Sequence, residues 1–171
     1  MSVLVLPYSN SWPALFAEEA ERLTSRLAPW LVGDIEHIGS TAVPGLGAKP
    51  ILDMLAPVED LDAARAARPS LVDLGYRHAN HRPQEAMWFY KQQGEDYDTR
   101  THQLHLTRPE SALWRERLTF RDALRDDPAL LIEYQDLKRA LASSDDDLTE
   151  YTGGKREFVG RILLSKGINL G

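Results

Sequence analysis

The feature that most constrains the fold is a pair of apolar segments separated by a loop rich in glycine and proline, between residues 34 and 58. Residues 34–38 predict a first strand, which ends at a Gly39-Ser40 turn. The loop then runs through several turn residues to Pro50, and residues 51–58 predict a second strand. The other segments of the chain are interpreted as the elements that pack around these two strands and their loop.

Asp53 interrupts the second apolar segment. A strand disfavours Asp, because the lost hydration of the carboxylate must be offset by hydrogen bonds, cations or water. The Gly39-Ser40 turn offers backbone N–H groups and a hydroxyl, which suit a phosphate. Together they indicate chemistry on a nucleotide, with Thr41 assisting and Lys49 as a point charge for a phosphate or a stabiliser of the turn. The alternative is a loop with a capping serine and a salt-bridged Asp53.

The remaining segments predict an α+β fold. Ser11 is expected to cap a first helix that ends by Pro29, and a second helix is expected from Asp60, restarting at Pro69 and stopping at Gly75. Further strands are predicted at 76–79, 87–92 and 99–107, which gives a mixed sheet with helices on one side.

From residue 109 the pattern is helical, with three predicted helices and a break at Gly153-Gly154 in the last one. We therefore expect a core over 1–107 and a C-terminal helical segment over 108–171 packed on it, forming one compact domain.

The composition narrows the function. The net charge of −6 argues against a broad nucleic-acid surface, although not against a local basic pocket for a phosphate ligand. The absence of cysteine excludes disulfides and thiolate metal sites and is consistent with the cytoplasm. No signal peptide and no membrane span are indicated. The oligomeric state is left open.

Two histidines and an arginine stripe are the other candidates. His102 and His105 lie three residues apart, so on a strand they project to opposite faces and do not form a chelating pair. His105 shares its face with polar neighbours, and one of the two histidines is expected to act as ligand or acid–base group. Arg117, Arg121 and Arg125 form a helical stripe, a pattern most typical of a solvated face.

The stretch HIGSTAVPGLGAKPILDM resembles the signature of the GrpB family, a group within the polymerase-beta-like nucleotidyltransferase superfamily. The resemblance runs over nearly the whole chain and includes both histidines, the Phe120-Arg121-Asp122 motif, Leu137-Lys138 and the C-terminal residues Tyr151 and Lys155. The side chains of Lys138, Tyr151 and Lys155 could each extend to solvent from the helical segment or point into the cleft. It implies a nucleotidyltransferase-like fold, in which Gly39, Ser40, Thr41, Lys49 and Arg121 bind the substrate.

In that superfamily, acids at positions i and i+2 of a strand hold the catalytic metals, whereas this chain has Asp53 followed by Leu55. The leading hypothesis is transfer of a nucleotidyl group to an unknown acceptor, with Asp53 and His105 as catalytic residues. Asp53, His105 and His102 are the candidate ligands of Mg²⁺ or Mn²⁺. The alternatives are a non-catalytic nucleotide- or phosphate-binding module and a histidine-assisted metal hydrolase.

Overall fold

A computed structural model describes residues 5–96, 99–143 and 148–169, without the side chains of residue 143 and of 148–152. The side chain of Tyr151 therefore lies outside the described part of the chain. The strands form one five-stranded sheet in the order β1-β2-β5-β4-β3. They are β1 (Glu36–Ile38), β2 (Leu52–Pro57), β3 (Arg77–Ala79), β4 (Ala86–Gln92) and β5 (Arg100–Thr107). Only β2 and β5 pair in parallel among these strands, and the other neighbours are antiparallel.

Each of the five predicted strands is confirmed to within two residues at either end. The α+β class is confirmed as well, because β5 returns beside β2 only after the β3–β4 hairpin has been made. That order places the two apolar strands β2 and β5 in the centre, where both sheet faces are covered. Asp53 and His105 thereby come to lie on adjacent central strands.

The first three helices cover one face of the sheet. They are α1 (Trp12–Leu27), α2 (Leu61–Ala64) and α3 (Arg68–Asp73). Leu23 and Leu27 of α1 pack with Leu71 of α3 onto Met54 and Phe89 of the sheet, and all five side chains are fully buried. This apolar layer is the main core, and its loss of water-exposed surface is the dominant stabilising contribution here.

Of the two predicted helix caps, the one at Asp60 is confirmed and the one at Ser11 is wrong. Asp60 caps α2, because its side chain accepts hydrogen bonds from the backbone N–H groups of Asp62 and Ala63. Ser11 does not cap α1: its backbone is already helical and its hydroxyl pairs with that of Ser9 at 2.6 Å. A capping side chain needs an extended backbone at the cap position, which Ser11 lacks.

The C-terminal segment is a helical bundle of α4 (Ala112–Asp126), α5 (Pro128–Ser143) and α6 (Leu148–Ser165). Phe120, Tyr134 and Phe158, one from each helix, form its aromatic centre, with ring centroids 5.0 to 6.3 Å apart. Such pairs contribute about 0.5–1.5 kcal/mol each beyond burial. Val43 and Leu46 of the loop after β1 pack into the same cluster, so the bundle holds that loop in place.

The predicted break at Gly153-Gly154 is wrong, because α6 runs unbroken through both glycines. A Cβ on Gly154 would lie 2.8 Å from Cδ1 of Leu141 on α5. The missing side chain thus allows α5 and α6 to approach closely, which offsets the low helix propensity of glycine. Within the described ranges, no helix is long and apolar enough to cross a membrane.

Candidate functional site

The Gly39 turn lies directly against Asp53. Ile38 pairs with Asp53 across β1 and β2, and the chain then turns at Gly39 with φ of 74°. A Cβ on Gly39 would lie only 3.1 Å from Oδ2 of Asp53. Glycine is therefore required twice, for the left-handed φ and for the close approach of the backbone to the carboxylate. The turn and the acid predicted from the sequence are brought together.

His105 joins Asp53 on the same face of the sheet. Leu55 is the direct partner of His105 in the β2–β5 register, which places His105 diagonally beside Asp53. Nδ1 of His105 lies 3.7 Å from Oδ1 of Asp53, too far for a hydrogen bond. Both atoms are buried and have no hydrogen-bond partner among the described residues. Two such polar atoms facing each other are typical of a place where a water, proton or cation is held.

The protonation of this pair is set by burial and by nearby cations. Burial raises the pKa of Asp53 to about 6, although Arg117, Arg100 and Lys155 act in the opposite direction. Burial also lowers the pKa of His105 to about 3, and the charge of Arg117 lowers it further. At neutral pH the pair is therefore an ionised carboxylate beside a neutral imidazole, which is the state of both groups that binds metals.

Leu55 does not supply a second ligand, and no acid in the described part of the chain directly replaces it. Leu55 is fully buried in an apolar cluster with Ile38 and Leu113, where α4 meets the sheet. Glu36, opposite Leu55 in the register, has its carboxylate paired with Arg121 at 2.7 Å. The described residues contain no group of three or more acids, histidines or cysteines arranged for a metal. The side chains thus fit one divalent cation on Asp53 and His105, and they do not fit a pair of metals.

Lys138 of α5 reaches the Gly39-Ser40 turn. Its ammonium donates hydrogen bonds to Oγ of Ser40 and to the carbonyl of Gly47, both at 2.8 Å. The residue is only 2% exposed, and it makes no ion pair with any acid in the described ranges. Burial lowers its pKa to about 7, and the charges of Lys155 and Lys49 contribute. Such a buried ammonium without a counter-ion is expensive unless an anion binds beside it.

The sequence left two positions open for Lys138, because a lysine on an amphipathic helix can extend to solvent or point into the cleft. The structure takes the second, and the ammonium lies against the Ser40 turn. Lys49, which the sequence also singled out, is half-buried and near enough to influence Lys138 electrostatically.

Thr41 has a structural position. It is 2% exposed, and its hydroxyl donates to the carbonyl of Ile51 at 2.9 Å. Its oxygen must then accept the hydrogen bond from Nε2 of His37, also at 2.9 Å. His37 itself stacks on Phe16 of α1, with ring centroids 4.6 Å apart. The hydroxyl hydrogen of Thr41 is therefore used within the protein, where it ties the 3-10 turn Ser40–Ala42 to the start of β2.

The arginine stripe of α4 faces the same turn. Arg121 pairs with Glu36 and donates to the carbonyl of His37 at 3.1 Å, whereas Arg125 donates to the carbonyl of Ala42 at 3.0 Å. Nε and Nη1 of Arg121 are thus paired with protein groups. Arg117 is exposed and lies close enough to Asp53 and His105 to shift the pKa of both. Arg117 and Arg125 are exposed, as the stripe predicts, while Arg121 also bonds β1 and Arg125 also bonds the turn.

The structure does not bring His102 to the site. It lies on the opposite face, where Nε2 is 3.8 Å from the buried carboxylate of Glu19. Glu19 also accepts hydrogen bonds from Tyr76 and Lys91, each at 2.8 Å. The predicted opposition of the two histidines is confirmed, and the reason is the alternation of side chains along β5. A metal cannot be shared by His102 and Asp53 through the sheet.

The fold defined by these elements is that of nucleotidyltransferases. Solved structures of two proteins with this fold illustrate the likeness. Cid1 poly(U) polymerase bound to MgGTP has a TM-score of 0.53 and 14% identity, covering 81% of this chain and 44% of its own. The GLD-2/RNP-8 complex has a TM-score of 0.56 and 10% identity, covering 90% of this chain and 58% of the other. At such identities the likeness shows the fold alone.

The chain belongs to the GrpB protein family, whose sequence profile matches residues 2–164. Glutamate-rich protein GrpB of Alkalihalophilus pseudofirmus is 35% identical, with 94% of both chains covered. A UPF0157 protein of Pseudomonas aeruginosa is 43% identical over 93% of this chain and 65% of its own length. The crystal structure of GrpB from Enterococcus faecalis has a TM-score of 0.82 and 28% identity, covering 96% and 99%.

Proposed function

We propose that this protein binds a nucleotide through its phosphates and transfers the nucleotidyl group to an acceptor. The observation that carries the proposal is the buried Lys138 ammonium, which is bonded to Ser40 and lacks an acidic partner in the described ranges. A phosphate beside Ser40 supplies the missing negative charge and accepts from the ammonium and the hydroxyl. Charge-assisted hydrogen bonds of this kind are about twice as strong as neutral ones.

Asp53 and His105 are the residues that would hold a divalent cation, through the two orphaned atoms that face each other. When bound, such a cation neutralises charge on the phosphates and orients them. A neutral imidazole ligand favours Mn²⁺ over Mg²⁺, because Mg²⁺ prefers oxygen. The exposed Arg117 supplies a further positive charge at the same place.

These positions support the following reaction. An acceptor hydroxyl or amine attacks the alpha-phosphorus, its new bond forms as the bond to the bridging oxygen breaks, and pyrophosphate leaves with that electron pair. The acceptor's proton passes to water. Lys138 and Ser40 hold the departing phosphates, so the contribution of the chain is positioning and charge neutralisation.

A non-catalytic phosphate-binding module is the second candidate, and one specific observation favours it. Leu55 occupies the position of the second acid and is fully buried among apolar side chains, so a two-metal arrangement is not available there. Such a protein would bind nucleotides through Ser40 and Lys138 and release no pyrophosphate. The metal hydrolase is not proposed, because His102 and His105 lie on opposite faces.

The binding experiment is a thermal shift with each common nucleoside triphosphate, in Mn²⁺, in Mg²⁺ and without metal. Saturation at about 100 times the dissociation constant stabilises the native state by about 2.7 kcal/mol. Asp53→Asn should remove the metal-dependent part of the shift. Asp34→Asn is the matched control, since Asp34 is exposed at the approach to β1. No shift with any nucleotide would refute both candidate functions.

The catalytic experiment is release of labelled pyrophosphate across a broad panel of acceptors. Activity should be higher in Mn²⁺ than in Mg²⁺ and should be lost in His105→Ala. His102→Ala serves as the control from the other face of the same strand and should retain activity. Nucleotide binding without release under any condition would favour the non-catalytic module.

A further inference from the structure

A cleft whose lining combines basic and apolar side chains lies beside the candidate site, along the loop that follows the Ser40 turn. Its volume is about 520 Å³, within the range typical of small-molecule sites. The walls are formed by the segment 5–8, which pairs with the loop through a bridge between Leu6 and Ala48, and by α5. The polar and glycine positions in the lining are Tyr8, Gly45, Gly47, Gln135, Lys138 and Arg139.

The charge of this cleft is one-sided. Among the lining residues that the structure describes, Lys138 and Arg139 are positive and none is negative, in a chain whose net charge is −6. Lys138 is 2% exposed and bonds only neutral oxygens among the described groups. Arg139 is exposed, as arginines usually are, but it lines the same cleft as the Lys138 ammonium, which has no acidic partner among the described residues.

Arg139 is also oriented by its neighbours. Both polar atoms of the Gln135 amide are hydrogen-bonded in one orientation, in which the nitrogen donates to the carbonyl of Gly45 at 3.1 Å. Its oxygen then accepts from Nη2 of Arg139 at 2.9 Å. This contact holds the guanidinium of Arg139 beside the loop, so the side chain loses little further conformational entropy when an anion binds. A guanidinium can donate two parallel hydrogen bonds to the oxygens of one phosphate.

We propose that this cleft binds a small phosphate polyanion, with Arg139 at its mouth and Lys138 on its inner wall. The proposal deepens the proposed function, because Lys138 also contacts Ser40 and thus belongs to both places. The polyanion has two possible sources with the same chemistry: free inorganic pyrophosphate, or the terminal phosphates of a nucleotide bound at Ser40. With either source, the phosphates would be bound in the cleft next to the site at Ser40 and Asp53.

The test is calorimetric titration of the full chain with inorganic pyrophosphate, and separately with ATP, at constant ionic strength. Arg139→Gln should weaken pyrophosphate binding by about tenfold, as expected for one lost charge-assisted hydrogen bond. Arg26→Gln, an exposed arginine on α1, is the control for the change of net charge and should bind as the native chain does. Arg139 is exposed, so its replacement leaves the core intact.

The ATP titration distinguishes the two sources. A loss in Arg139→Gln for pyrophosphate alone identifies a free anion, and an equal loss for both ligands identifies the terminal phosphates of the nucleotide. Unchanged affinity of Arg139→Gln for both pyrophosphate and ATP overturns the proposal, as does an absence of binding of both ligands to the native chain. The proposed function fails separately, if Ser40→Ala and Asp53→Asn leave nucleotide binding unchanged.

Discussion

Lys138 donates a hydrogen bond to Ser40 across 98 positions of sequence, with a distance of 2.8 Å between Nζ and Oγ. This contact ties the C-terminal bundle to the turn that follows β1, and it introduces a buried positive charge where the described residues offer no acid. Burying such a charge reduces the stability of the empty protein and favours the state with a bound anion. The balance between these two effects can be measured.

Lys138→Met should weaken phosphate binding and change how stability depends on pH. The folded pKa of about 7 lies below the ordinary 10.5, so the unfolded chain binds more protons between these values. The free energy of unfolding of the native chain should therefore rise as the pH increases from about 7 to 10.5, relative to the variant. Urea denaturation at stepped pH measures this difference. Lys166→Met, at an exposed position, should show no such difference, and parallel curves for Lys138→Met would contradict the assignment.

Thr41→Val should lower the free energy of unfolding by about 1–3 kcal/mol, because it leaves the buried His37 N–H and the Ile51 carbonyl unpaired. Thr41→Ser keeps the hydroxyl and should recover most of that loss. Thr24→Val, on the exposed side of α1, is the matched control and should change stability little. Chemical denaturation of the three variants provides the comparison. If Thr41→Val were as stable as the native chain, the hydrogen bonds of Thr41 to His37 and Ile51 would not contribute to stability.

Glu19→Gln should destabilise the protein by about 3 kcal/mol, since it removes the charge that Lys91 and Tyr76 contact in the core. Burial raises the pKa of Glu19, but its hydrogen bonds outweigh this effect and the folded pKa lies below the ordinary value. The stabilisation is therefore present above 4.5 and is lost as the pH falls below it. The difference in unfolding free energy between native and variant should shrink in acid. Glu18→Gln, at an exposed position on the same helix, is the control and should change the free energy of unfolding little.

Gly153→Ala and Gly154→Ala should have different effects, although both replace a glycine in the same helix. A Cβ on Gly153 meets nothing within 4 Å, so the variant should gain about 1 kcal/mol from helix propensity. A Cβ on Gly154 meets Leu141 at 2.8 Å, and the displaced leucine should cancel that gain or reverse it. Thermal unfolding of the pair tests this. A more stable Gly154→Ala than Gly153→Ala would show that α5 and α6 do not pack closely there.

The local pattern was sufficient for the strands of this protein, although not for the start of α1 at Ser11 or for the continuity of α6 at Gly153-Gly154. Alternation and turn residues predicted all five strands, and the strand period alone separated His102 from His105. Asp53 and the Gly39-Ser40 turn were also found from local chemistry, since an acid in an apolar strand and a glycine turn are conspicuous in sequence. In each case the physical reason lies within a few residues of chain.

Partners distant in sequence were decided by tertiary structure. The sequence suggested Thr41 and Arg121 for a substrate, and the fold adds the protein partners His37 and Glu36 to them. For Lys138 the sequence left solvent and cleft open, and only the packing of α5 on the loop places it against Ser40. Sequence determines which groups are present and which face each occupies. Which hydrogen bonds they make depends on burial and on neighbours that only the folded chain supplies, because a buried polar group must take the partner within reach.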